Sequence, residues 1–138
     1  MKKILISTAL LLCVLMTFAL AGCVANDDPW SDAIYTESCT IGAGDGEYTV
    51  RVTVGENTVD LTVKTDCTTL GDALIESGLA SGDVGAYGLY IKTVNGILAD
   101  YGVNGAYWGV YMDGEASMTG ADGITLTEGV TYELRYTK

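Results

Sequence analysis

Two runs of strict period-two alternation flank a short glycine turn, and they restrict the fold more than anything else in this chain. Tyr48-Thr-Val-Arg-Val-Thr-Val54 sets Val50, Val52 and Val54 on one face, and Thr58-Val-Asp-Leu-Thr-Val-Lys64 does the same with Val59, Leu61 and Val63. Successive strand residues point to opposite faces, so each run buries one side and wets the other. Gly55-Glu56-Asn57 between them is turn chemistry, and the pair is predicted to form a β-hairpin.

A helical signal follows. Across Thr68–Gly78, Thr69 can cap the first turn, with Asp72 three residues later in a weaker form of the capping box. Leu70, Ala73 and Leu74 make an apolar stripe, and Gly78 suits the position just past the helix end. The chain then returns to β signals at Ala86–Val94, Ala106–Met112 and Thr131–Thr137, with Asn95-Gly96, Asp113-Gly114, Asp122-Gly123 and Glu128-Gly129 as turns. One helix against one face of a mixed sheet is an α+β arrangement. A β-grasp is its natural form, because the helix can lie across the concave face of the sheet.

The N-terminus has a different logic. Lys2 and Lys3 precede an apolar run from Ile4 to Leu20, and Leu20-Ala-Gly-Cys23 follows. A basic start, an apolar middle and small residues before a cut are the parts of an export signal. The run is at the short limit for a bilayer span and has no basic stop after it. Leu-Ala-Gly-Cys resembles the bacterial lipobox. In that family the cysteine thiol takes a diacylglyceryl group, signal peptidase II cuts before it, and several acyl chains anchor the product firmly. The expected organisation is a signal over residues 1–22, a lipid-anchored flexible linker over 23–46, and one domain over 47–138. The product would sit on the outer surface of a bacterial membrane. Cys23→Ser is expected to abolish palmitate labelling and move the protein out of the membrane fraction. Unchanged labelling would remove the anchor.

With the signal gone, five basic residues face eighteen acidic ones, a net of −13. Such a surface repels phosphate backbones, so nucleic acid is excluded as a partner. The chain has no histidine, which removes histidine-based triads and His-ligated metals. There is no G-x-S-x-G elbow, no phosphate loop and no paired carboxylates in a pKa-raising setting, so no catalytic residue is assigned and no enzyme is expected. The sequence assigns neither metal nor cofactor. Asp113-Gly-Glu115 could hold calcium, but Asp-Gly is first a turn signal. Cys39 and Cys67 remain after Cys13 leaves and Cys23 is lipidated. In an oxidising compartment a disulfide between them is the expectation, and two free thiols the alternative.

The aromatic residues of the domain are tyrosine and tryptophan, concentrated between Gly88 and Asp122. Trp108 and Val110 share one strand face. For Tyr107-Trp108 in isolation, burial under the helix is the commoner outcome, with Gly109 relieving a tight contact. Exposure as a ligand surface is the other.

The run Tyr87-Gly-Leu-Tyr-Ile-Lys-Thr-Val-Asn-Gly96, then Ala106-Tyr-Trp108, Asp113-Gly-Glu, Gly120-Ala-Asp122 and the final Tyr132-Glu-Leu-Arg-Tyr136 resembles the transcobalamin-like C-terminal domain. Its bacterial members form the DUF4430 family. The resemblance covers about Glu47 to Lys138. It implies a β-grasp of the soluble-ligand-binding kind and a ligand such as cobalamin, or another flat compound, over Tyr107, Trp108, Gly109 and Val110. The vertebrate carriers hold cobalamin between this domain and a large helical one. This chain has no helical domain, so a second protein would have to complete the site. The rival expectation is a cell-surface module that binds protein or glycan through the same aromatic edge.

Overall fold

A computed structural model describes residues 28–138. Cys23 and the signal lie outside the described residues. No helix among the described residues is long and apolar enough to cross a membrane.

The described residues open with a 3-10 turn at Pro29–Asp32, capped by Asp28, whose Oδ1 accepts from the Trp30 amide at 3.1 Å. Strands β1 (Thr40–Gly42), β2 (Gly46–Val54) and β3 (Asn57–Thr65) follow, then helix α1 (Leu70–Glu76). Next come β4 (Ala80–Gly85), β5 (Gly88–Val94), β6 (Ile97–Leu98) and a single helical turn, α2 (Tyr101–Asn104). β7 (Tyr107–Met112), β8 (Glu115–Ala116), a 3-10 turn at Ala121–Gly123 and β9 (Thr131–Thr137) complete it.

The larger sheet has the order β1-β3-β2-β9-β7-β8. The last long strand, β9, inserts beside β2 and runs parallel to it, with Val52 opposite Leu134. A hairpin, a crossing helix and a final strand parallel to the first form the expected β-grasp. The hairpin pairs Val50 with Leu61 and Val52 with Val59, so both apolar rows fall on one face. Leu70, Ala73 and Leu74 of α1 join Leu61, Val63, Tyr132 and Leu134 in the core. Each such aliphatic side chain contributes about 1.5–3 kcal/mol by leaving water. α1 begins as its sequence implies: Thr69 Oγ1 accepts from the Asp72 amide at 3.3 Å, and Gly78 takes φ +75° past its end.

A smaller antiparallel sheet, β4-β5-β6, packs beside the first. β4 carries Gly82 and Gly85 and has no alternation, so the sequence shows no strand there. β5 begins at Gly88, two residues later than Ala86, because Gly85 and Gly88 close a two-residue loop that leaves Tyr87 fully exposed.

Residues 28–46 are not the free linker expected from their turn-rich composition. Trp30, Ala33 and Tyr35 pack on the core, and β1 pairs with β3 in parallel. The residue that holds this strap is Asn95, only 1 % exposed. Its Oδ1 accepts from the Tyr35 amide at 2.8 Å, its Nδ2 donates to the Tyr35 carbonyl at 2.9 Å, and its own carbonyl accepts from Ile34. The next residue, Gly96, has φ +80°, and a Cβ there would lie 2.7 Å from the Asp32 carbonyl oxygen.

The expected disulfide is also corrected. Both cysteines are free. Cys39 lies at the β1 end, where its carbonyl accepts from the Thr62 amide, while Cys67 follows the far end of β3. The Cys67 thiol turns to α1 instead and donates to Glu76 Oε2 at 2.9 Å. That hydrogen bond pushes the thiol above its ordinary pKa, so it is a poor nucleophile. Alkylation without reductant is expected to modify both Cys39 and Cys67, as read by peptide mass, with Cys67 slower until the pH is raised. Protection of both until reductant is added would restore the disulfide.

Candidate functional site

The strand expected to carry the ligand is mostly wall. Trp108 is 7 % exposed. Its ring meets Tyr136 edge-on at 5.6 Å between centroids, and its Nε1 donates to the Lys92 carbonyl at 3.2 Å. Val110 faces inward with it and packs on the core. Both indole requirements, an apolar bed and a partner for N–H, are met inside the domain. Trp108 is therefore not the exposed platform that the resemblance implied. Tyr107 points the other way and is exposed. Gly109 makes room for the Tyr111 ring, whose Cε2 would sit 3.0 Å from a Cβ, and the Arg135 guanidinium stacks on that ring at 3.8 Å.

The open sheet face around Tyr111 is internally paired. Arg51 holds Asp60 through two bonds of 2.6 and 2.9 Å, and Glu133 accepts from Thr53 and Arg135. Burial pushes the Glu133 carboxyl up, but the Arg135 and Thr53 hydrogen bonds outweigh it and hold it below the usual carboxylate range. No charge is left over here for a ligand.

The concave surface lies elsewhere. A cleft of about 580 Å³ opens between α1 and the β4–β5 hairpin. Ile75, Val84 and Leu89 line it, and Asp72, Glu76 and Asp122 stand around them. Ile75 and Val84 are solvent-exposed although aliphatic. Asp122 fixes the geometry: its Oδ2 accepts from the Leu89 amide at 3.2 Å. Gly71 lets α1 close on it, since a Cβ there would lie 2.8 Å from the Asp122 amide nitrogen. The Asp113-Gly114 segment, by contrast, is a hairpin turn with φ +49° and +86°, and Asp113 Oδ1 is occupied by the Thr131 amide.

A second, larger cleft of about 950 Å³ lies at the other end of the domain. Asp28, Asp32, Glu56, Asn57, Asn104 and Lys138 line it together with Pro29, Val54, Ile97, Leu98 and Tyr136, a mixed polar and apolar surface.

The model of the domain of unknown function DUF4430 matches residues 68–138. The chain belongs to the DUF4430 family. The match spans α1 through β9 and, except for Cys67, every residue that lines the cleft beside α1. Among solved structures, a protein from Ruminococcus gnavus ATCC 29149, described as a candidate metal-binding protein, is 30 % identical. The alignment covers 68 % of this chain and 98 % of that one, with a TM-score of 0.62. Haptocorrin in complex with Cbi is 20 % identical over 67 % of this chain, with a TM-score of 0.47, and this chain spans 25 % of its length. No curated protein matches.

In this DUF4430 domain the cleft residues were missed by sequence reasoning for a definite reason. Val84 sits in a glycine-rich strand without period. Asp122 reads as a turn residue. The usable signal was the Ala86-Tyr87 loop, whose hairpin sets Val84 opposite Leu89.

Proposed function

We propose that this chain is a non-enzymatic ligand-binding module, moored by lipid at Cys23 on the outer surface of a bacterial membrane. Its ligand sits in the cleft between α1 and the β4–β5 hairpin. The observation that carries this reading is the exposed aliphatic floor of Ile75 and Val84 under three carboxylates in a concavity of about 580 Å³. Small-molecule sites are concave, mostly apolar and edged by a few polar groups. A flat, partly apolar ligand with N–H donors on its periphery matches that pattern. A corrinoid, fringed by amides, is such a compound. Among the described residues no three His, Cys, Asp or Glu side chains converge as a group that could hold an ion. One open cleft covers one side of a flat ligand, so affinity for free ligand is modest and a second protein supplying the opposite wall raises it.

Equilibrium dialysis with aquo-, cyano- and adenosylcobalamin tests the proposal. Saturable binding is expected, weakened at least about ten-fold by Val84→Asp, because a carboxylate desolvated against an apolar ligand face costs more than about 1.4 kcal/mol. Saturable binding that Val84→Asp leaves intact would move the ligand out of the cleft. Absence of binding for all three forms would remove the corrinoid. The exposed tyrosines Tyr87, Tyr90, Tyr101 and Tyr107 favour the second reading in that event, a surface module for protein or glycan partners.

A further inference from the structure

The docked strap fixes more than the domain boundary. Cys23 and Asp28 are separated by five peptide steps, which span at most about 18 Å in any conformation. Asp28 in turn is held to the domain: it caps the 3-10 turn, and Ile34 and Tyr35 are bonded to Asn95. The short connection therefore leaves from one defined place, the rim of the 950 Å³ cleft that Asp28, Pro29 and Asp32 share with the β2–β3 turn and with Leu98.

The ligand cleft lies at the opposite end. β3 begins with Asn57, which lines the larger cleft, and runs eight steps to Thr65, two residues before Cys67 in the ligand cleft. At about 3.3 Å per step that is about 26 Å. β5 repeats the direction: Leu89 near its start lines the ligand cleft, and Ile97, just past its end, lines the larger one.

We infer that the strap orients the domain on the membrane, with the β2–β3 turn and α2 toward the lipid and the ligand cleft turned outward. This rests on the lipid anchor at Cys23 proposed above. The occupant of the proximal face is the bilayer surface itself. Leu98 lines this cleft and is exposed, and exposed Val103 precedes Asn104, which lines it too; aliphatic side chains are accepted at a lipid–water boundary. The acids Asp28, Asp32 and Glu56 around them oppose close contact with anionic headgroups, so contact is strongest on zwitterionic lipid.

The acylated full-length lipoprotein, reconstituted in phosphatidylcholine vesicles with a headgroup-labelled acceptor, provides the test. In a Cys39→Ser background, one donor is placed on native Cys67. The other goes on Glu56→Cys combined with Cys67→Ser. Energy transfer is expected to be clearly greater from position 56 than from position 67. A twenty-residue Gly/Ser insertion between Asp27 and Asp28 is expected to erase the difference. Equal transfer from both positions in the uninserted chain, or greater transfer from position 67, overturns the orientation while the anchor stands. A chain that fails to float with the vesicles overturns the anchor and the orientation together.

Discussion

Trp108→Ala is expected to cost about 3–5 kcal/mol of folding stability, read as a lowered urea midpoint with little change in slope. That is a large share of the roughly 5–15 kcal/mol that holds a domain of this size. The reasons are local. The indole is 7 % exposed and wedged edge-on against Tyr136. Truncation would leave a void where the two sheets meet, and it would remove the only side-chain bond that ties β7 to β5 through the Lys92 carbonyl among the described residues. Trp108→Phe separates the two effects. The ring bed is kept, and the Lys92 carbonyl still accepts from the Ala99 amide at 2.7 Å, so the loss should be nearer about 1 kcal/mol. Ligand affinity of the folded Trp108→Phe protein should stay within about two-fold of wild type, since Trp108 does not line the cleft beside α1. Intact stability with lost ligand binding would return Trp108 to the binding surface.

The elements that alternate or cap strongly are legible in the sequence alone. The β2–β3 hairpin needed only its valines and Leu61, and α1 needed Thr69, Leu70, Ala73 and Leu74. β9 needed Tyr132 and Leu134. What escaped was set by tertiary partners. The strap reads as a linker because its hydrogen bonds go to Asn95, sixty residues away, and no local pattern announces that. β4 is held by β5 and has no buried stripe beyond Ala80. The site was legible only in part. Tyr107 and Trp108 were singled out because aromatic residues next to glycine stand out in a sequence. An aliphatic floor does not stand out, and Ile75, Val84 and Leu89 become a surface only when α1 and the hairpin face each other.

The second large effect is expected from a single buried amide. Asn95→Ala removes two side-chain hydrogen bonds to Tyr35, worth about 1 kcal/mol each. It also forces alanine into φ +52°, which costs roughly a further 1–2 kcal/mol where asparagine is tolerated. A total near 3 kcal/mol is expected, concentrated on the strap. Chymotrypsin is the direct reporter. Wild type should resist cleavage after Trp30 and Tyr35, whereas Asn95→Ala should be cut there while the rest of the domain stays folded. Asn95→Gly restores the backbone freedom without the amide, so it should recover about 1 kcal/mol and remain cleavable. A strap that stays protected in both variants would mean that Trp30 and Tyr35 packing alone holds it. The consequence reaches the membrane. With the strap free as far as Thr40, seventeen steps instead of five separate Cys23 from the first held residue. The span grows from at most about 18 Å to about 60 Å, longer than the distance between the two ends of the domain. Asn95→Ala should then flatten the difference in energy transfer between positions 56 and 67 as the Gly/Ser insertion does, without touching a residue of the ligand cleft.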